Sequence, residues 1–182
     1  MHKDIERIIL TEAQIADKVT SLAKEIEKDY RHTVPVLLCI LNGAFIFASD
    51  LMRALGIDVE IDFMQAASYG DKTFSKGSIT ILKDATIDLK GRDVLIVEDI
   101  ADTCITLKGL VPKLEDYGLN SLKLCVLLNK TGVREEKDDV KIDYKGFDIP
   151  NEFVVGYGLD YDNLYRNLPY IGILKRRVYT NE

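Results

Sequence analysis

The sequence predicts an α/β fold: a central, mostly parallel sheet flanked by helices. Three observations predict it. Val34–Leu41 is a continuous apolar run, and it, Asp93–Glu98 and Ser121–Leu128 read as strands of the sheet interior. Segments with apolar residues at helical spacing alternate with those strands, the pattern of strand–helix–strand units. Gly and Asn fall between them, where the chain must turn.

Thr11-Glu12-Ala13-Gln14 has capping-box spacing, and Ile15, Val19, Leu22 and Ile26 follow at helical intervals. A first helix is therefore expected from about residue 12 to about residue 29. Val34–Leu41 is the first buried strand, with Pro35 near its start. Asn42-Gly43 turns the chain into a helix over Ala44–Leu55, with Gly56 at the position of a left-handed C-cap. Ile57–Met64 alternates apolar and acidic residues, which reads as a half-buried strand with its acids outward. Ser68–Gly77 is polar and glycine-bracketed, hence a flexible loop, and Ser78–Lys83 is a return strand. Asp93–Glu98 is followed by a helix from about Ile105 to Tyr117, stopped by Gly118. Ser121–Leu128 is the next strand, Thr131–Asp143 a charged surface connection, and Phe153–Tyr157 a last strand. No repeat, low-complexity tract or linker divides residues 1–182, so one domain is expected. Its core spans about residues 34–150, with a small hood formed by the N-terminal and 150–182 segments.

Composition narrows the function. The formal net charge of −6 disfavours a nucleic-acid groove, which needs clustered Lys and Arg against phosphates. It leaves a small phosphorylated ligand open, because backbone amides and metal ions hold phosphate locally. The longest apolar run, Val36–Leu41, is too short to span a bilayer, and Met1–Leu10 lacks the uninterrupted apolar stretch of a signal peptide. Cys39, Cys104 and Cys125 have no metal-type spacing, and their odd number suits a reducing, cytoplasmic compartment. No Gly-Lys-Ser/Thr phosphate loop occurs. Gly156-Tyr157-Gly158 lacks the third glycine of a dinucleotide motif. The two histidines, His2 and His32, cannot build a His-centred triad or zinc site.

The chemistry concentrates in Asp93–Leu107. Glu98 and Asp99 stand at the carboxyl end of a buried strand, where parallel sheets bind ligands. Ala101–Thr106 then opens a helix whose N-terminal amides and dipole suit a phosphate, and Thr103 and Thr106 add hydroxyl donors. Two acids beside a phosphate make sense if they hold Mg²⁺ or sugar hydroxyls. The competing reading has Asp102 capping the helix and both acids solvated.

Val97-Glu98-Asp99-Ile100-Ala101-Asp102-Thr103, with Thr106, resembles the signature by which type I phosphoribosyltransferases bind 5-phosphoribosyl 1-pyrophosphate (PRPP). Leu41-Asn42-Gly43-Ala44 is similar to that family's pyrophosphate loop, and Ser68-Tyr69-Gly70 to its flexible catalytic loop. Lys130 falls at the position of a purine-reading lysine. Phe153–Tyr161 with Tyr165–Ile171 resembles the base-binding end of the hypoxanthine-guanine branch. The likeness runs from about residue 34 to residue 174. The PRPP signature names only the superfamily, whereas the Phe153–Ile171 block is specific to the purine branch.

The resemblance implies purine salvage: transfer of the phosphoribosyl group of PRPP to N9 of a 6-oxopurine, hypoxanthine and also guanine, with Mg²⁺ as cofactor. It implies that Leu41, Asn42, Gly43 and Arg166 hold pyrophosphate, and that Glu98 and Asp99 meet the ribose hydroxyls directly or through Mg²⁺. Asp102, Thr103, Cys104, Ile105 and Thr106 would cradle the 5′-phosphate, with Asp102 also the general base near purine N7. Closure over Ser68 and Tyr69 would exclude water. Lys130 would donate to O6, Phe153 stack on the base, Val154 read its edge, and Asp160 bind a second Mg²⁺. It also implies a homodimer or homotetramer. A PRPP- or nucleotide-sensing regulator of the same fold, or a transferase for another base, are the alternatives. Retention of Asp102, Lys130 and Arg166, and the absence of a basic face, disfavour the regulator, and Lys130 with Phe153–Asp160 disfavours another base.

Two positions depart from the family's pattern. Asn42 stands where many relatives carry a basic residue, in a loop where a non-proline cis peptide would fall at Leu41–Asn42. Cys104 stands where glycine is usual. If that position needs a left-handed backbone, Cys costs roughly 1–2 kcal/mol there.

Overall fold

The structure, a computed structural model, describes residues 1–68, 79–133 and 140–180. In chain order the elements are β1 (Ile5–Leu10), α1 (Glu12–Tyr30), β2 (Val36–Leu41), α2 (Phe45–Ala54), β3 (Glu60–Ser68), β4 (Ile79–Lys83), β5 (Asp93–Ala101), α3 (Ile105–Glu115), β6 (Ser121–Lys130), β7 (Tyr144–Ile149), β8 (Val154–Val155), β9 (Ile171–Leu174) and α4 (Arg176–Tyr179). Six strands form one sheet in the order β4-β3-β2-β5-β6-β7. Only the β3–β4 pair is antiparallel. A second sheet, β1-β9-β8, is wholly antiparallel and joins the two ends of the chain.

The main sheet is covered on both faces, which is why its central strands read as unbroken apolar runs. Leu37, Cys39, Leu95, Val97, Cys125 and Leu127 pack against α1 and α2. The residues between them, Val36, Leu38, Val94, Ile96, Leu124 and Val126, pack with Leu107, Leu110 and Leu114 of α3. The capping box at Thr11 is present: the Thr11 hydroxyl accepts from the Gln14 N–H, and Gln14 Oε1 accepts from the Thr11 N–H.

Several elements differ from expectation. β3 begins at Glu60 rather than Ile57 and continues to Ser68, so Ser68 ends a strand instead of opening the loop. Residues 69–78, which carry the rest of that expected loop including Tyr69, lie outside the described residues. Gly56 is not left-handed. α2 ends on an extended Leu55, and the Gly56 N–H donates to Glu27 of α1 at 2.6 Å. The expected strand Phe153–Tyr157 shrinks to Val154–Val155, because Gly156 and Tyr157 both take positive φ. β1, β7 and β9 were not anticipated at all.

Asp62 corrects the expected facing of β3. It is 4% exposed, while Ile61 and Phe63 pack on the other side of the sheet. The N–H groups of Thr86 and Ile87 and the Thr86 hydroxyl all donate to its Oδ2, and Lys83 Nζ lies 3.6 Å from Oδ1. Burial pushes this carboxyl up, but the amides of Ile87, Phe63 and Thr86 outweigh it and hold the pKa down at about 2.

Asp62→Ala orphans those amides and is expected to cost about 2–4 kcal/mol, read from urea unfolding at pH 6. Because the folded pKa lies below the unfolded one, this stabilisation is present above about pH 4 and lost as pH falls toward 2. The gap between wild type and Asp62→Ala should therefore narrow at pH 3.

Candidate active site

The parallel strands deliver their carboxyl ends to one edge of the sheet, and the predicted site residues gather there. Leu41 ends β2, Glu98 and Asp99 lie near the end of β5, and Lys130 ends β6. The Leu41–Asn42 peptide bond is cis.

Glu98 and Asp99 are consecutive, partly buried carboxyls. Burial, and for Glu98 the neighbouring Asp99 charge, push both up: Glu98 well above the usual range, Asp99 to about 6. Asp99 is relieved by the Ile100 N–H, which donates to Oδ1 at 2.8 Å, and by the charge of Arg166. Glu98 Oε2 is buried and, among the described residues, has no hydrogen-bond partner. Two partly buried acids with so little local compensation suit a divalent cation or a polyhydroxyl ligand. Among the described residues no three His, Cys, Asp or Glu side chains converge into a cage of protein ligands. The two carboxylates are oxygen donors of the kind Mg²⁺ takes, one or two at a time, with water and substrate oxygens completing its shell.

Gly43 is present for close approach. A Cβ there would lie 1.7 Å from Asp99 Oδ2, so any side chain would displace the carboxylate. Gly158 repeats the device from the other side. Its φ is +101°, and a Cβ on it would lie 2.1 Å from the Gly43 carbonyl oxygen. Arg166 and Asp160 are carried on this second layer. Arg166 donates to the Gly158 carbonyl at 2.7 Å and pairs with Asp160 Oδ1 at 3.0 Å. Asp160 thus faces the arginine as well as the acid pair.

α3 begins at Ile105 behind Cys104, which is left-handed at φ 57°, ψ 15° and makes no side-chain cap hydrogen bond. Cys104, not Asp102, is the N-cap, which removes the reading of Asp102 as a capping residue. Thr103 and Ile105 are exposed and Thr106 half-buried around this turn. Lys130 Nζ lies 2.7 Å from Asp102 Oδ2, with the lysine side chain 11% exposed. That ion pair joins the ends of β5 and β6.

Phe153 follows β7, stacks on Tyr179 at 4.8 Å between centroids, and meets Tyr161 edge-on at 5.6 Å. Its ring remains partly exposed, while Val154 is buried in β8. No contact joins Phe153 directly to Lys130 among the described residues. Sequence reasoning missed the contact between Gly158 and Gly43. Its signal was Gly156-Tyr157-Gly158, two glycines flanking an aromatic residue, which was tested only as a dinucleotide motif.

The phosphoribosyl transferase domain family matches residues 7–162. The chain is 44% identical over 179 residues to the hypoxanthine-guanine phosphoribosyltransferase of Bacillus subtilis (strain 168), covering 98% of each. It is 46% identical over 182 residues to that of Mycobacterium avium, covering 97% of this chain and 89% of the relative. A crystal structure of a hypoxanthine phosphoribosyltransferase from Staphylococcus aureus aligns with a TM-score of 0.93 at 44% identity, covering 100% of this chain and 97% of the other. The fold and the matched residues define the class, a type I phosphoribosyltransferase. Within it, the chain belongs to the hypoxanthine-guanine phosphoribosyltransferase family.

The raised acid pair gives a pH signature. Protons bind these carboxyls more tightly in the folded state, so stability falls as pH rises from about 4, the unfolded pKa, through about 6. Glu98→Gln is expected to flatten that fall, seen as a smaller difference between urea midpoints at pH 5 and pH 7 than in wild type.

Proposed function

We propose that this enzyme transfers the 5-phosphoribosyl group of PRPP to N9 of a 6-oxopurine, hypoxanthine or guanine, releasing pyrophosphate. The observation that carries the reading is the Lys130–Asp102 pair at 2.7 Å, joining the end of β6 to the turn that opens α3. A purine inserted there separates the pair and uses both members. The Lys130 ammonium donates to O6, which selects an oxo over an amino group. Asp102 accepts the N7 proton as N9 bonds to C1′ and the C1′–pyrophosphate bond breaks. Phe153 stacks on the base with the ring area that Tyr179 leaves open, and the Val154 backbone reads the base edge.

The amides of Thr103, Cys104, Ile105 and Thr106 hold the 5′-phosphate. The Leu41-Asn42-Gly43 loop and Arg166 take the pyrophosphate. Glu98 and Asp99 would bind ribose hydroxyls directly or hold Mg²⁺, and Asp160 would hold a second Mg²⁺. Bound there, Mg²⁺ neutralises charge on the departing pyrophosphate. Ser68 and Tyr69 belong to the segment that closes over the reacting centre. A homodimer or homotetramer in the cytoplasm completes the reading, in keeping with three free cysteines, all buried.

The test is a panel of hypoxanthine, guanine, xanthine and adenine with PRPP and magnesium chloride, following nucleotide and pyrophosphate. Product from hypoxanthine or guanine is expected; none from either defeats the reading. In the same assay Asp102→Asn should slow turnover by about 10²–10⁴-fold, and a loss under about tenfold removes Asp102 as the base. Cys104→Gly relieves a left-handed residue in the phosphate turn and should lower the KM for PRPP. An unchanged or higher KM would show that the turn accepts Cys without cost.

A further inference from the structure

Asp50 lies outside every motif that identified the site, and Tyr157, though it falls within Phe153–Tyr161, has no role among the site residues. Asp50 is on α2, the helix that starts directly after the Asn42-Gly43 loop. The Tyr157 hydroxyl donates to Asp50 Oδ2 at 2.7 Å. Burial and the Asp50 carboxylate push the phenol far above its usual range, so it stays a donor at any working pH. Tyr157 itself is left-handed, at φ 49°, between two left-handed glycines. Its N–H donates to the Leu168 carbonyl at 2.8 Å and the Gly158 N–H donates to the Arg166 carbonyl at 3.0 Å. The turn is thus welded to the Tyr165–Leu168 segment that carries Arg166, and Gly158 presses on the Gly43 carbonyl.

We infer that the Asp50–Tyr157 hydrogen bond sets the spacing between the Leu41–Gly43 loop and Arg166, making both residues positioning residues for the pyrophosphate half of the site. This rests on the reading of that loop and Arg166 as the pyrophosphate holders. The geometry of the bond makes the case. It ties α2 to the 156–158 turn, while the Gly158–Gly43 contact only limits how close the two layers come. Contact alone stops approach; the hydrogen bond stops separation. The bonds and ring contacts of Lys130 and Phe153 run to Asp102, Tyr161 and Tyr179 and not to Asp50 or Tyr157, so the effect should be confined to one substrate half.

The bond can be removed without unfolding the chain. The Asp50 side chain is 41% exposed on an open groove between α1, α2 and Asn167–Pro169, beside Arg53. Losing the Tyr157 hydroxyl therefore leaves the carboxylate hydrated rather than stranded, and the buried ring is kept in Tyr157→Phe.

The experiment measures binding of inorganic pyrophosphate, with magnesium chloride, by calorimetry, together with KM values for PRPP and purine. Tyr157→Phe and Asp50→Ala should each weaken pyrophosphate binding and raise the KM for PRPP by about five- to tenfold. The KM for purine should stay within about twofold, and the double variant should be no worse than either single one. Asp50→Asn keeps an acceptor oxygen and should restore most of the loss. Equal effects on both substrates, no effect on pyrophosphate, or additive single losses would each overturn the inference. A wild type that binds pyrophosphate but makes no nucleotide would instead defeat the proposed reaction and leave the positioning role standing.

Discussion

The constraint on which the site depends is the partial burial of two adjacent carboxyls, Glu98 and Asp99, at the end of a strand whose interior is entirely apolar. Such a pair cannot be accommodated by ordinary packing. Room for Asp99 is made by removing a side chain from Gly43, and its charge is offset by the Ile100 amide and by Arg166. Arg166 in turn needs the 156–158 turn at hand, which Gly158 permits by lying flat on the Gly43 carbonyl. The glycines and the arginine are thus consequences of placing acids where water cannot fully reach them.

This arrangement divides the cleft into halves with different physics. Around Glu98 and Asp99 the groups are charged, partly buried and crowded against backbone. Around Lys130, Phe153 and Val154 they are a single ion pair and apolar surface. The first half suits a ligand that brings its own hydroxyls and cation. The second suits a flat heterocycle with few polar edges. Asp102 lies where the halves meet, at the start of the turn into α3.

Much of this was legible in the sequence, and the reasons for the exceptions are physical. The central strands and three longer helices announce themselves because burial on two faces or one imposes a period on the residues. β7 does not, because Tyr144–Ile149 alternates Lys, Gly and Asp with its apolar residues at a sheet edge. β1 and β9 pair across the whole length of the chain, and no local pattern records a partner so distant. The acids of β3 look alike in sequence, yet Asp62 turns inward because amides from the Thr86–Ile87 segment meet it there. The residues of the phosphate turn and the Lys130 position were found by motif. The contact between Gly43 and Gly158 was not, since close approach leaves only a glycine, and glycine has many other uses.

The pairing of β1 with β9 has a consequence for how the molecule is made. Residues 36–149 contain every strand of the large sheet, so its framework can assemble while the chain is still being synthesised. The small sheet cannot. β9 is the strand between β1 and β8, and it is the last of the three to leave the ribosome. The Val154–Val155 pairing and the Phe153 carbonyl therefore wait for Ile171–Leu174 before their hydrogen bonds close, and the opening residues of the chain must be kept free until then. A nascent chain stalled before residue 171 has the acid pair and the Asp50–Tyr157 tie in place but lacks the central strand of the small sheet.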